Sequence, residues 1–350
     1  MMISSKPSDR PFLDHDQVED YLGNIYMVVG NLHPPNSVVA YLKYIPTSIP
    51  TYWRKGNIYY KRVIRHYGVK NVKDSVRSLQ DVVKDVVLGT ELPVLKLSNI
   101  RYFYLPEVRL REIMHKANDR LEVKVLEFID LLREYTGVST SSLGIDGSIL
   151  PSIHNPEISD IDMLVYGCKE SIEVVEGLTA HMERCIDAVL RRRLERQSRI
   201  YGLPLSILRE IQPPHRYIRI NGTEVNISFI NNVVLERYGS RIYIPIAQVE
   251  AKLILRHSEC TALFYPSMAT VDKIIDVRIT GSNRTVERNL IKYIVSYEGL
   301  FSYLMYLGDE VVVKGVLEEV LPEGYYIILV GAYENPGYII PASKKLFRSS

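Results

Sequence analysis

Two aspartates flank a single isoleucine in Asp160-Ile161-Asp162, and an apolar run follows through Met163, Leu164 and Val165. Aspartate is disfavoured inside strands, so such a pair asks for a chemical reason. On a strand, residues i and i+2 point to one face, and both carboxylates can then serve the same divalent cations. Magnesium takes oxygen ligands, commonly one or two carboxylates plus substrate phosphates. Two such ions can bracket an in-line displacement at phosphorus, one activating the attacking hydroxyl and one steadying the leaving group. Eleven residues separate this pair from Gly147-Ser148, where a short strand runs into a turn. A glycine there lets backbone N–H groups approach phosphate oxygens, and the serine hydroxyl can donate as well.

These residues resemble the signature of the nucleotidyltransferase superfamily of the DNA polymerase beta type, which includes CCA-adding enzymes and poly(A) polymerases. Its pattern is Gly-Gly or Gly-Ser, roughly ten residues, then two acids separated by one apolar residue on a strand. The run from Ser159 to Gly167 is similar to the Ser-Asp-Ile-Asp form of archaeal members, and the resemblance covers residues 119–231. The flanks resemble an uncharacterised archaeal group of predicted nucleotidyltransferases. The resemblance implies a nucleoside triphosphate such as ATP as substrate, Mg²⁺ or Mn²⁺ as cofactor, and transfer of a nucleoside monophosphate to an acceptor hydroxyl. Asp160 and Asp162 would hold metal, and Gly147 and Ser148 the β/γ-phosphates. A third carboxylate is usual on a later strand, best matched by Val225-Asn226-Ile227. Here that position is Asn226, which cannot accept a proton. Glu224 lies two residues earlier on the same strand face and could take the role. Two alternatives follow: a catalytically inactive RNA-binding protein of this fold, or transfer to a small molecule or protein.

The elements that would position these residues read as an α+β chain in three parts. Residues 1–105 form a β-rich unit with one helix, 106–240 a central nucleotidyltransferase-type mixed sheet with helices, and 241–350 a second β-rich unit. Val72, Val76, Leu79, Val83 and Val86 recur at helical spacing and predict a helix over 71–88. A second helical stretch runs over 106–134, with Pro106 suited to its first turn. Ser171 is expected to cap a long helix whose apolar side includes Ile172, Val175, Leu178, Met182 and Ile186. Asn221-Gly222 is a strong hairpin signal between two strands, 217–220 and 224–230. Strands are also expected at 311–320, 325–330 and 338–340.

The remaining signals are weaker. With 43 basic and 41 acidic residues, the net charge of +2 does not announce a nucleic-acid binder, although a local arginine stripe would suffice. Arg191, Arg192, Arg193 and Arg196 supply such a stripe. Its ordinary reading is a solvated helical face, and its rival reading is a set of polynucleotide contacts, with RNA as the guessed acceptor. Asp146 reads as turn chemistry and His154 as a solvated loop histidine. Arg62, Arg65, His66 and Lys70, near Tyr59 and Tyr60, have an ordinary strand edge as their first reading and single-strand binding by stacking and charge as the rival one. Cys168, Cys185 and Cys260, odd in number and widely spaced, argue for a reducing compartment and against a disulfide framework. No apolar run reaches membrane-spanning length and no signal-peptide core is present, so no membrane partner and a cytoplasmic location are expected.

Overall fold

Tyrosine, valine and isoleucine crowd the first hundred residues, and such side chains fit a half-buried pleated surface. They form strands β1 (Gln17–Asp20), β2 (Ile25–Val28), β3 (Ser37–Thr47), β4 (Trp53–Lys55) and β5 (Ile58–Arg62). Helix α1 (Val69–Val76) and strands β6 (Val82–Asp85), β7 (Thr90–Lys96) and β8 (Ile100–Tyr104) follow. The eight strands make one sheet in which β3 pairs with β2, β5 and β7. This is a computed structural model, and it describes residues 10–65, 67–181, 188–216, 218–281, 284–333 and 335–343.

The helix expected over 71–88 is half as long as its apolar spacing suggests. It ends at Val76, and the β-branched run from Val82 enters a hairpin with β7 instead. Branched side chains lose χ1 freedom in a helix and fit a strand. Gln80 fastens the break: its Oε1 accepts from Leu42 N at 2.5 Å and its Nε2 donates to Ala40 O at 2.8 Å.

The second helical stretch is two helices, α2 (Pro106–His115) and α3 (Arg120–Thr136). Asp119 divides them by capping α3, accepting from the backbone N–H groups of Leu121 and Glu122. Strands β9 (Leu143–Ile145) and β10 (Ile161–Tyr166) follow, then helices α4 (Cys168–His181), α5 (Ala188–Tyr201) and α6 (Leu205–Glu210). Strands β11 (Ile218–Ile220) and β12 (Thr223–Ile230) are joined at Asn221-Gly222. Ser171 does not cap α4 from outside. The helix begins at Cys168, and Ser171 Oγ donates to Gly167 O at 2.6 Å from within the first turn. His66, Met182, Ile186 and Tyr217 lie outside the described residues. The sheet order is β11-β12-β10-β9, with β10 and β12 parallel and both outer strands antiparallel to their neighbours.

The last part, expected to be β-rich, is built on two 14-residue strands, β13 (Ile242–Leu255) and β14 (Ser267–Thr280). They are followed by β15 (Ile291–Ser296), helix α7 (Ser302–Leu307), β16 (Glu310–Leu321), β17 (Tyr325–Val330) and β18 (Tyr338–Pro341). The chain is therefore a mixed α+β protein, and its described residues form three sheets, drawn from residues 17–104, 143–230 and 242–341. Among the described residues no helix is long and apolar enough to cross a membrane.

The cores do not follow the sheets one to one. Phe128, Met163, Val174 and Ile227 share a single cluster with Leu253, Ile294, Phe301 and Leu317, so the central and last sheets are fused through one core. The first sheet keeps its own core around Val18, Val28, Leu42, Ile64 and Leu95. Two small apolar patches join it to the centre: Leu13 against Leu164, Tyr166 and Ile230, and Ile25, Tyr44 and Tyr60 against Ile153. Contrary to the reading of the cysteines as unpaired, Cys168 at the start of α4 is disulfide-bonded to Cys260. Their separation of 92 residues put the pair beyond any spacing rule, and folding brings the two Cα atoms to 5.3 Å. Cys185 lies outside the described residues.

Candidate active site

The Gly-Ser turn and the aspartate pair meet. Strand β9 lies antiparallel beside β10, and Asp146 N donates to Asp162 O at 2.8 Å just past the end of β9. That bond delivers the next residue, Gly147, against the Asp162 side chain. Gly147 has φ 67°, and a Cβ there would overlap Asp162 Oδ2. Only glycine satisfies both the backbone conformation and the close approach. Gly147→Ala is expected to lose about 1–3 kcal/mol of stability and to displace the Asp162 carboxylate. Thermal unfolding together with a metal titration checks both effects.

Ser148 is buried; its Oγ donates to Ser159 Oγ at 3.3 Å, and its carbonyl accepts from Ile153 N at 3.0 Å. Asp160 is exposed at the mouth, just before β10, and Asp162 sits half-buried on that strand. Neither side chain makes a hydrogen bond or ion pair among the described residues. Burial pushes the Asp162 carboxyl up to about 7, and the neighbouring charges of Asp160 and Asp146 add to the effect. Crowded carboxylates without partners are what a divalent cation relieves, so these residues fit a magnesium site.

The parallel register places Asn226 directly beside Asp162. Glu224, two residues earlier on β12, is ion-paired with Arg193, and Asn226 Nδ2 approaches Glu224 Oε1 at 3.5 Å. Strand β12 thus sets an amide, not an acid, beside Asp162, and its acid Glu224 is engaged by an arginine. The arginine stripe divides. Arg193, half-buried, and Arg196, exposed, line the cavity, whereas Arg191 and Arg192 lie exposed outside it, with Arg191 Nε 3.5 Å from Glu195 on its own helix.

The reading of Asp146 as turn chemistry gives way to a more specific one. Asp146 is 2% exposed and held from the first sheet: His15 Nδ1 lies 2.7 Å from Oδ2, and Gln17 Nε2 donates to Oδ1 at 2.7 Å. Gln17 Nε2 also donates to Gly147 O at 2.9 Å. Burial alone would raise the Asp146 carboxyl, but Lys43, His15 and Gln17 outweigh it and hold it below the ordinary carboxylate range. Sequence reasoning missed His15, Gln17 and Lys43. No local motif marks the first two. Lys43 carried a signal, as a lone lysine in the run Val-Val-Ala-Tyr-Leu-Lys-Tyr-Ile.

His154 is not a solvated loop residue. Its side chain is buried and its Nε2 lies 2.8 Å from Asp119 Oδ2. With Glu122 these two bring three donor atoms within 4.8 Å of one another. Each acid already has work, Asp119 as the cap of α3 and Glu122 as the partner of Arg109. That cluster is set apart from the cavity.

The cavity itself has a volume of about 1390 Å³ and takes walls from all three sheets. Lys43 and Arg62 come from the first sheet, Asp160, Asp162 and Arg193 from the central part, and Tyr265 and Tyr297 from the last. Sites for single small ligands usually hold roughly 300–1,000 Å³, so there is room here for a nucleotide and part of an acceptor.

No protein-family model and no solved structure matches the chain. Among curated proteins it is similar to Uncharacterized protein MJ1086 of Methanocaldococcus jannaschii, with 24% identity over 345 residues that span 90% of this chain and 94% of that protein.

Proposed function

We propose that this protein is a metal-dependent nucleotidyltransferase that moves a nucleoside monophosphate from a nucleoside triphosphate to an acceptor hydroxyl and releases pyrophosphate. The observation that carries the reading is the contact of Gly147 with Asp162, with Asp160 at the same mouth. Asp160 and Asp162 are the ligands for Mg²⁺ or Mn²⁺. When bound, the metal supplies charge neutralisation for the triphosphate and lowers the cost of forming the attacking alkoxide. The chain's own groups do the rest. The turn at Gly147-Ser148 receives the phosphate tail, and the donors on Asp146 hold that turn still. Glu224, oriented by Arg193, is the carboxylate on β12 placed to take the acceptor's proton. Enzymes of this kind act mainly by positioning and by electrostatic stabilisation.

An RNA acceptor is the favoured substrate class. Arg120, Lys124, Arg193 and Arg196 line the cavity together with Tyr41, Trp53 and Tyr265, and interleaved cations and aromatic rings suit single strands. A second reading, an inactive protein of this fold that binds RNA, is favoured by Asn226 and by the engagement of Glu224 with Arg193. One experiment separates them. Each radiolabelled nucleoside triphosphate is offered with Mg²⁺ or Mn²⁺ to RNA and to protein, using wild type and Asp160→Ala/Asp162→Ala. Label on RNA that vanishes in the double variant supports the enzyme. Label on polypeptide redirects the acceptor to protein. RNA binding without label in any arm supports the inactive reading, and equal label in the double variant rejects the mechanism.

A further inference from the structure

Lys43 is 3% exposed, yet it lines the cavity. Among the described residues its ammonium has no hydrogen bond and no carboxylate within ion-pair distance; the centroid of the Tyr44 ring lies 5.8 Å away. Both oxygens of its nearest acid, Asp146, are already taken by His15 and Gln17. Burial disfavours its charge and Asp146, beyond ion-pair distance, offsets that, while the ammonium's three donors at the cavity are left for a ligand. Arg62 stands beside it. Strand β5 pairs with β3 so that Arg62 lies opposite Tyr44, and Val63 N donates to Lys43 O at 2.9 Å. The Arg62 guanidinium packs over Tyr67 at 5.2 Å and donates to its hydroxyl at 2.7 Å, which fixes the fork. Its Nε is buried without a hydrogen-bond partner.

We propose that Lys43 and Arg62 form a phosphate subsite, so that the first sheet supplies the cationic half of the triphosphate pocket whose other half is the Gly147-Ser148 turn. The ligand class follows from the chemistry of the walls. Two cations from the first sheet line the same cavity as Asp160 and Asp162 from the central part, the pair that fits a divalent metal. A ligand that satisfies both walls is polyanionic and bridges a metal to an ammonium, as a polyphosphate does. Lysine serves as a point charge for phosphate, and arginine adds directional donors. The inference rests on the nucleotidyltransferase reading for the identity of the ligand, but the subsite can be measured without it.

The test is calorimetric titration of inorganic tripolyphosphate into the full-length protein, first without metal and then with Mg²⁺. Wild type is expected to bind in the absence of metal, and Lys43→Met to bind at least about tenfold more weakly. Lys43→Arg should recover most of the affinity. Asp160→Ala/Asp162→Ala should bind metal-free tripolyphosphate as well as wild type or better, because two repelling charges are gone. Should Lys43→Met fold poorly by circular dichroism, wild-type protein answers the question instead. Tripolyphosphate should then slow amine labelling of Lys43 relative to the exposed Lys84, read by mass spectrometry. Equal affinity in Lys43→Met, unaltered labelling, or no binding by wild type overturns the subsite. If nucleotide transfer persists in that case, the enzyme reading survives alone. If tripolyphosphate binds through Lys43 while no label transfer is found, the subsite stands and the enzyme reading falls.

Discussion

Asp162→Asn is expected to abolish nucleotide transfer and, at the same time, to stabilise the ligand-free protein. The loss of activity follows from removing one of the two proposed metal ligands; a decrease of at least about a thousandfold in the transfer rate is the scale for a group acting directly on the reacting charge. The gain in stability follows from the crowding of Asp160, Asp162 and Asp146 around one turn. Asp162 keeps its proton up to about pH 7 in the folded chain, far above the ordinary carboxyl value. The folded state therefore holds more protons than the unfolded state between roughly pH 4 and 7, and stability falls as pH rises through that window. Asparagine fills the same volume without the charge and removes that slope. Above pH 7 the variant should be more stable by about 1–3 kcal/mol, read from denaturant midpoints in metal-free buffer. A carboxylate serving only as a strand-edge charge would change neither quantity. Lost transfer without any gain in stability would reject the account of the crowding.

The second large effect lies far from the site in sequence. Glu318 on β16 is 3% exposed, and among the described residues it has no hydrogen-bond or ion-pair partner. Burial pushes its carboxyl up to about 8. The unfolded chain releases this proton near the ordinary glutamate value, so stability is full below that value and is lost as pH rises to about 8. The whole loss amounts to about 4–5 kcal/mol. Glu318→Gln should be nearly neutral at pH 4.5 and stabilising by several kcal/mol at pH 9. Equal pH dependence of the unfolding midpoint in variant and wild type would show that Glu318 is ionised and solvated in the folded protein.

Local motifs were legible and distant ones were not. The Gly147-Ser148 and Asp160-Ile161-Asp162 pair could be read because strand geometry alone carries i and i+2 to one face. The β11–β12 hairpin was legible from Asn221-Gly222, and with it the place of Asn226 beside Asp162. His15, Gln17 and Lys43 reach the site through pairings in another sheet, and no local pattern encodes that. The helix expected over 71–88 failed because valines at helical spacing also suit a short helix followed by a hairpin; Val83 and Val86 prove to be exposed. Strand β13 does alternate from Ala247 to Leu255, but Pro245 and the intervening Gln248, Glu250 and Lys252 hid it as irregular structure. The disulfide was missed for the same reason as Lys43, since contact between Cys168 and Cys260 is a property of the fold.

Because the central and last sheets are welded by one core while the first keeps its own, the molecule has a natural parting line, and that line runs through the cavity. The bonds that cross it are numerous and mostly polar: Asn31 to Asn231 O at 2.8 Å, Val69 N to Glu298 at 2.9 Å, Tyr333 to Asp74 at 2.7 Å, Arg54 N to Ile153 O at 3.0 Å, Tyr243 N to Val87 O at 2.8 Å, and the buried bonds of His15 and Gln17 to Asp146. Exposed bonds of this sort exchange for water at little cost, whereas the buried ones on Asp146 and the two cores do not. Lys43, Arg62, His15 and Gln17 all belong to the part of the chain before residue 105, so in the proposed enzyme the grip on the phosphate tail would depend on how firmly these bonds seat the first sheet against the other two.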